Sequence, residues 1–200
     1  MATRTTTPRA EASRQRLIDA ACAELVERDG VLEVASVAAR AGVSVGLIYR
    51  HFGSKAGLVA AVVDDFYNRL DAAVLPDPAP QADWATRERM RVGLAVEFHY
   101  DDPLAPVILS RLSREPEVAA VEARWIARQI EGARRNIAKG QADGELPADF
   151  DPGMAGAMTL GGIRQTLGEV LARRRRPPRD AVAEELWRLV VGAVRFTARP

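Results

Sequence analysis

Tyr49, Arg50, His51, Ser54 and Lys55 place a phenol, a guanidinium, an imidazole, a hydroxyl and an ammonium close together in the chain. All five reach phosphate oxygens, and an arginine can also read a guanine edge bidentately. The rest of the sequence offers no competing chemistry. There is no Ser-His-Asp arrangement, no phosphate-cradling glycine loop and no dinucleotide fingerprint. His51 and His99 are far apart and Cys22 is the sole cysteine, so no metal-ligand spacing exists. No catalytic residue, metal or cofactor is expected.

These side chains need short helices to present them. Val37, Ala38 and Ala41 give one helix, about Val34–Ala41, an apolar face. Gly42 can take positive φ where that helix stops, Val43 tucks under the turn, and Ser44 is placed to cap the next helix with its hydroxyl. The next helix, about Val45–Phe52, carries Tyr49, Arg50 and His51 near its end. Ser54 then opens a long amphipathic helix to about Val74 through Leu58, Val62, Phe66 and Leu70. Upstream, Leu17, Ile18, Ala21 and Leu25 share one face of a helix expected over Glu11–Arg28, with Asp29-Gly30 as its stop.

The run AARAGVSVGLIYRHFGSKAGL, Ala38 to Leu58, resembles the DNA-binding domain of the TetR family of transcriptional regulators. Its AGVS, GxxYxHF and SK elements carry the resemblance, which covers the N-terminal third of the chain. It implies a recognition helix in the major groove, with Ser44, Val45, Gly46 and Leu47 at the groove-facing end. Gly46 has no side chain to hold the helix off the DNA. The same resemblance puts the Tyr49 hydroxyl on a phosphate, as it does His51 or Lys55. Arg50 is equipped for a guanine, but its late position suits a phosphate equally. Ser54 opens a helix N-terminus whose free N–H groups point at the backbone, while Ile48 and Phe52 face inward. The family usually has Thr near the start of the second helix. Glu33 or Val34 falls there, and a glutamate caps poorly and repels phosphate.

Helical periodicity continues beyond a Pro76–Asp83 linker, with helices expected over Trp84–Tyr100, Leu104–Ser113, Pro116–Ala142, Pro152–Arg174 and Arg179–Ala198. The fold class is therefore all-α, and the resemblance implies an N-terminal three-helix helix-turn-helix domain (11–55), joined by the long helix to a helical effector-binding and dimerisation domain (56–200). Residues 1–10 read as a flexible arm, with phosphate or minor-groove contact as the alternative. Phe66, Leu94, Phe98, Leu112, Val121, Trp125, Met154 and Met158 are candidates for an effector pocket, though each also suits ordinary core. His99, Tyr100 and Gln165 are the polar candidates to orient a ligand. The resemblance implies a homodimer through the last two helices, with Leu160, Ile163, Leu167, Leu186, Leu189, Val190 and Ala193 at the interface. Arg173–Arg176 read as a solvated loop.

Composition sets outer limits. The formal net charge is +1, and Met1 to Lys55 hold eight basic against six acidic residues. Any DNA contact must therefore come from a local patch. One cysteine permits no intrachain disulfide, and no apolar run approaches the ~18 residues of a membrane span. A cytoplasmic, ligand-responsive regulator, most simply a repressor, is the expectation. The alternatives are an activator, or a helical small-molecule-binding protein whose helix-turn-helix is not functional.

Overall fold

The computed structural model describes residues 8–76, 79–112 and 116–196. Among them are nine helices and no strand: α1 (Pro8–Glu27), α2 (Val34–Ala41), α3 (Val45–Phe52), α4 (Lys55–Val74), α5 (Trp84–Asp101), α6 (Ala105–Ser110), α7 (Pro116–Ala142), α8 (Pro152–Leu171) and α9 (Arg179–Ala193). The all-helical fold class holds. Helix α1 begins at Pro8, whose fixed φ suits a first helical turn. The rest of the expected arm, residues 1–7, lies outside the described residues, as do 77–78 of the linker.

Local chemistry sets the turn between α2 and α3. Gly42 ends α2 at φ 67°, ψ 37°, and the Val43 N–H returns to the Ala38 carbonyl at 3.0 Å. Ser44 is the N-cap of α3, but its hydroxyl takes no capping bond, contrary to the sequence reading. The Leu47 N–H instead meets the Ser44 carbonyl at 3.0 Å, leaving the hydroxyl outward. Ser54 does cap α4, accepting from the Gly57 N–H at 2.9 Å. A Cβ on Gly57 would lie 2.1 Å from the Phe52 carbonyl oxygen, so only glycine lets α4 start this close beneath the end of α3.

Two cores organise the chain. In the first, Leu17, Leu25 and Ile48 of the N-terminal helices pack in one cluster with Phe66 of α4, Ile108 of α6 and Val118 of α7. Cys22 is half-buried against it, and burial pushes its thiol up. The second core joins α5, the later part of α7, α8 and α9 around Trp84, Leu167, Leu186 and Trp187. The expected division at residue 55 is therefore not a division of packing. Gly30, at φ 92°, lets Arg111 and Val107 of the α6 region approach, and Asp29 pairs with Arg111 at 2.9 Å.

The C-terminal helices stop earlier than their periodicity suggests. Helix α8 ends before Arg173–Arg176, all exposed, where clustered like charge and the following Pro177 disfavour another turn. Helix α9 ends at Ala193 because Arg195 turns left-handed at φ 49°. Phe196 then folds back, its N–H bonded to the Val191 carbonyl and its ring near Trp84 and Trp187. Helix α6 is likewise shorter than expected, and 113–115 lie outside the described residues.

Candidate nucleic-acid interface and ligand cavity

Ser44, Val45, Gly46, Tyr49, Arg50, Ser54 and Lys55 are exposed, and Leu47 and His51 are half-buried along the same stretch. Ile48 is fully buried beneath them and Phe52 packs on the core, with the Arg14 guanidinium 5.4 Å from its ring centre. Arg50 and Lys55 have no ion-pair partner among the described residues. By contrast, Arg28 and Arg40 are held by acids of α1 and the following turn. Unpaired cationic side chains therefore gather where α3 ends and α4 begins. Ser54 satisfies Gly57, which leaves the Lys55 and Ala56 N–H groups at the positive end of α4 without an acceptor among the described residues. This surface can hold phosphate.

A buried carboxylate fixes the neighbouring helices. Glu24 is 1% exposed, accepts from the Ser36 hydroxyl at 2.7 Å and faces the Arg28 Nε at 3.0 Å. Arg40 approaches it at 3.8 Å while bonding Glu27. Ser36 satisfies Oε2 and the Arg28 ion pair faces Oε1, which takes no hydrogen bond, and together these contacts tie α1 to α2. Sequence reasoning missed it. The signal was an acid on the same helical stripe as Ala20, Ala21 and Leu25, four residues before an arginine. Glu33, at the N-cap of α2, makes no side-chain cap and pairs with Arg28 at 3.0 Å instead.

Between α4, α5, α7, α8 and α9 lies a cavity of about 320 Å³. Tyr67, Leu70, Asp71 and Val74 of α4 form one wall. Tyr67 stacks on Trp125 with centroids 4.3 Å apart, and the Trp125 indole N–H donates to Asp71 Oδ1 at 2.8 Å. Gln129 donates to the same oxygen at 2.9 Å. Burial holds the Asp71 carboxyl above its ordinary value, offset by the indole bond and by Arg128. Glu122 accepts from the Tyr67 hydroxyl at 3.0 Å and from Arg164 at 2.6 Å. Burial and that carboxylate push the Tyr67 phenol up to about 12. His99 sits in the wall with Nδ1 2.7 Å from the Ala95 carbonyl oxygen, and burial holds its imidazole below the usual value.

Residues 17–62 match the family model described as bacterial regulatory proteins, tetR family. The helix-turn-helix segment of the chain is thus of the TetR type. It is also 35% identical over 104 residues to the HTH-type transcriptional regulator BetI of Burkholderia thailandensis, a match covering 52% of this chain and 53% of that one. The alignment thus spans about half the length of that relative. Three solved structures share the fold. The fatty acid degradation regulator FadR from Bacillus halodurans superposes with a TM-score of 0.79 at 17% identity, over 97% of this chain and 100% of that one. FadR from Bacillus subtilis, solved in complex with stearoyl-CoA, gives 0.74 at 18%, over 90% and 98%. Salmonella enterica GusR gives 0.73 at 21%, over 96% and 100%.

Within this fold the expected pocket residues disperse. Trp125 lines the cavity, but Phe66, Leu112 and Val121 are buried in the first core. Leu94 and Phe98 border a separate shallow depression beside Asp101 and Asp102. Met154 and Met158 are 68% and 63% exposed. The reason is helical phase: Tyr67, not Phe66, points from α4 to the cavity, and the outer stripe of α8 carries the methionines. Of the polar candidates, His99 lines the wall, Tyr100 donates to the Pro177 carbonyl at 2.9 Å, and Gln165 is exposed. Several expected interface residues also turn inward. Leu160, Ile163 and Leu167 line the cavity, and Leu186 and Val190 belong to the second core. Leu189 is exposed and Ala193 half-exposed.

Proposed function

We propose that this chain is a homodimeric, cytoplasmic repressor that binds operator DNA through α3 and the start of α4 and is released by a small-molecule effector in the cavity. The carrying observation is that one continuous helix serves both places. Helix α4 begins at Lys55 among the unpaired DNA-facing cations and presents Tyr67, Leu70, Asp71 and Val74 to the cavity. A ligand pressed against that wall tilts α4 and changes the separation of the two recognition helices in a dimer. Such coupling is typically ~1–3 kcal/mol and is reciprocal. A dimer follows from need: one short helix reads too few base pairs, and two spaced copies read a half-site each. The exposed Met154, Met158 and Leu189, beside Gly161 and Gly192 with open space above them, form an apolar face on α8 and α9 suited to a second copy. The stearoyl-CoA complex of the Bacillus subtilis neighbour supports ligand binding by this fold.

The test is fluorescence anisotropy with labelled duplexes from upstream of the chain's own gene, titrated at several salt concentrations. One duplex should bind at least about 10³-fold more tightly than unrelated DNA. Lys55→Ala should flatten the plot of log affinity against log salt by about two units, one phosphate contact per protomer. An unchanged slope removes α4 from the DNA contact, and no preferred duplex ends the reading.

A further inference from the structure

The wall of the cavity is balanced in charge and short of acceptors. Asp71 and Glu88 line it with Arg91 and Arg164, two acids against two bases. Their partners are in place: Arg91 is bonded to Glu88, Arg164 to Glu122 at 2.6 Å, and Asp71 Oδ1 takes the Trp125 and Gln129 donors. His99 adds no charge near neutrality, since burial disfavours its protonated form. Most of the remaining lining is apolar, Leu70, Val92, Ile163 and Leu167 among it. Two donors are left over. Arg164 Nε and Trp84 Nε1 have no hydrogen-bond partner among the described residues, and both atoms are closed to solvent. The Tyr67 oxygen lies near the same guanidinium, but Nε has no acceptor at bonding geometry. Buried donors are seldom left unmet. Of the three buried side-chain polar atoms without a partner among the described residues, only Glu24 Oε1 lies away from this cavity.

We propose that the ligand of this cavity is an uncharged, mainly apolar molecule with a carbonyl-type oxygen, which accepts a hydrogen bond from Arg164 Nε or Trp84 Nε1. Both side chains already line the cavity, so a small rotation of either turns its N–H to a ligand oxygen. A neutral acceptor meets an unmet donor and adds no charge. An ion of either sign would unbalance a desolvated lining that sums to zero. Through Arg164 the bond also reaches the helix that starts at the DNA, because Glu122 accepts from both Arg164 and Tyr67 of α4. The proposal rests on the effector-responsive reading for its biological role, and on the wall alone for its chemistry.

Four probes share a phenyl ring and a four-carbon chain: butyrophenone with a carbonyl, butylbenzene without oxygen, and the ions 4-phenylbutyrate and 4-phenylbutylammonium. Their affinities for the full-length protein are measured by calorimetry near neutral pH, with wild type, Arg164→Lys and Trp84→Phe. Lysine keeps a cation for Glu122, phenylalanine keeps a ring in the second core, and each removes one of the N–H groups. The wild type should bind butyrophenone at least about tenfold more tightly than either ion. One of the two variants should lose at least about fivefold for butyrophenone and hold butylbenzene within about twofold. Infrared spectra of the wild-type complex should place the carbonyl stretch below its position in a hydrocarbon solvent, the mark of a hydrogen bond to N–H. An ion that binds as tightly, no binding of butyrophenone, an unshifted carbonyl band, or variants that treat both neutral probes alike overturns the proposal. The band is read in the wild type, so it decides even where a variant does not fold. Operator anisotropy separates the two readings: failure to bind any DNA removes the regulator and leaves the preference among the probes measurable.

Discussion

Gly57→Ala is the sharpest test of how the recognition helix is held. The alanine Cβ would stand 2.1 Å from the Phe52 carbonyl oxygen, where ordinary contact needs 3.4 Å or more. The obstacle is backbone, so no rotamer relieves it, and α3 must move away from α4 by more than an ångström. Overpacking of this kind costs ~1–3 kcal/mol. For a chain of this size that corresponds to a melting point lower by about 2–12 °C. The same displacement separates Tyr49 from Lys55, so DNA affinity should fall beyond what the loss of stability explains. Gly93→Ala is the control. It sits inside α5 with nothing near its Cβ, and an alanine there should stabilise by up to about 1 kcal/mol. Thermal unfolding and operator anisotropy on the two variants give the result. If Gly57→Ala melts and binds as Gly93→Ala does, the α3–α4 junction is not under the constraint described.

Two further outcomes are expected. Met158→Glu combined with Leu189→Glu should give a monomer by light scattering with stability within about 0.5 kcal/mol of wild type, because both side chains are exposed in the single chain; Leu186→Glu should instead unfold it by burying a charge. A dimer persisting in the double variant would place the interface elsewhere. His99 should make folding weaker in acid: its folded-state value is depressed, so its contribution is complete above about pH 6.5 and is lost as pH falls, when the unfolded chain takes up the proton first. Urea midpoints for wild type and His99→Gln should converge on acidification, and parallel pH profiles would refute this.

The N-terminal third was legible because its signals are local. Gly42 and Ser54 punctuate short helices whose apolar positions leave one choice of inner face, and the bounds of α2 and α3 follow from them. The second half is harder for a physical reason. Helices α4, α5 and α8 carry apolar residues around more than one face, so periodicity cannot say whether Phe66 or Tyr67 meets a cavity. Nor can it separate a side chain buried within the chain, such as Leu186, from one left for a partner, such as Leu189. The pairing of Asp71 with Trp125, and of Glu122 with Tyr67 and Arg164, joins residues more than forty positions apart. No local pattern announces such pairs.

The continuous core beneath the reading head bears on attempts to recombine such proteins. A chimera cut after Lys55 would part Leu17, Leu25 and Ile48 from Ile108 and Val118, which close the same cluster from the other side. The transplanted head would meet a foreign floor, with Asp29 and Gly30 facing whatever replaced Arg111 and Val107. To keep the fit, a graft must carry α4, α6 and the opening turns of α7 along with the first three helices. The unit of exchange is a layer of the structure, not a length of chain.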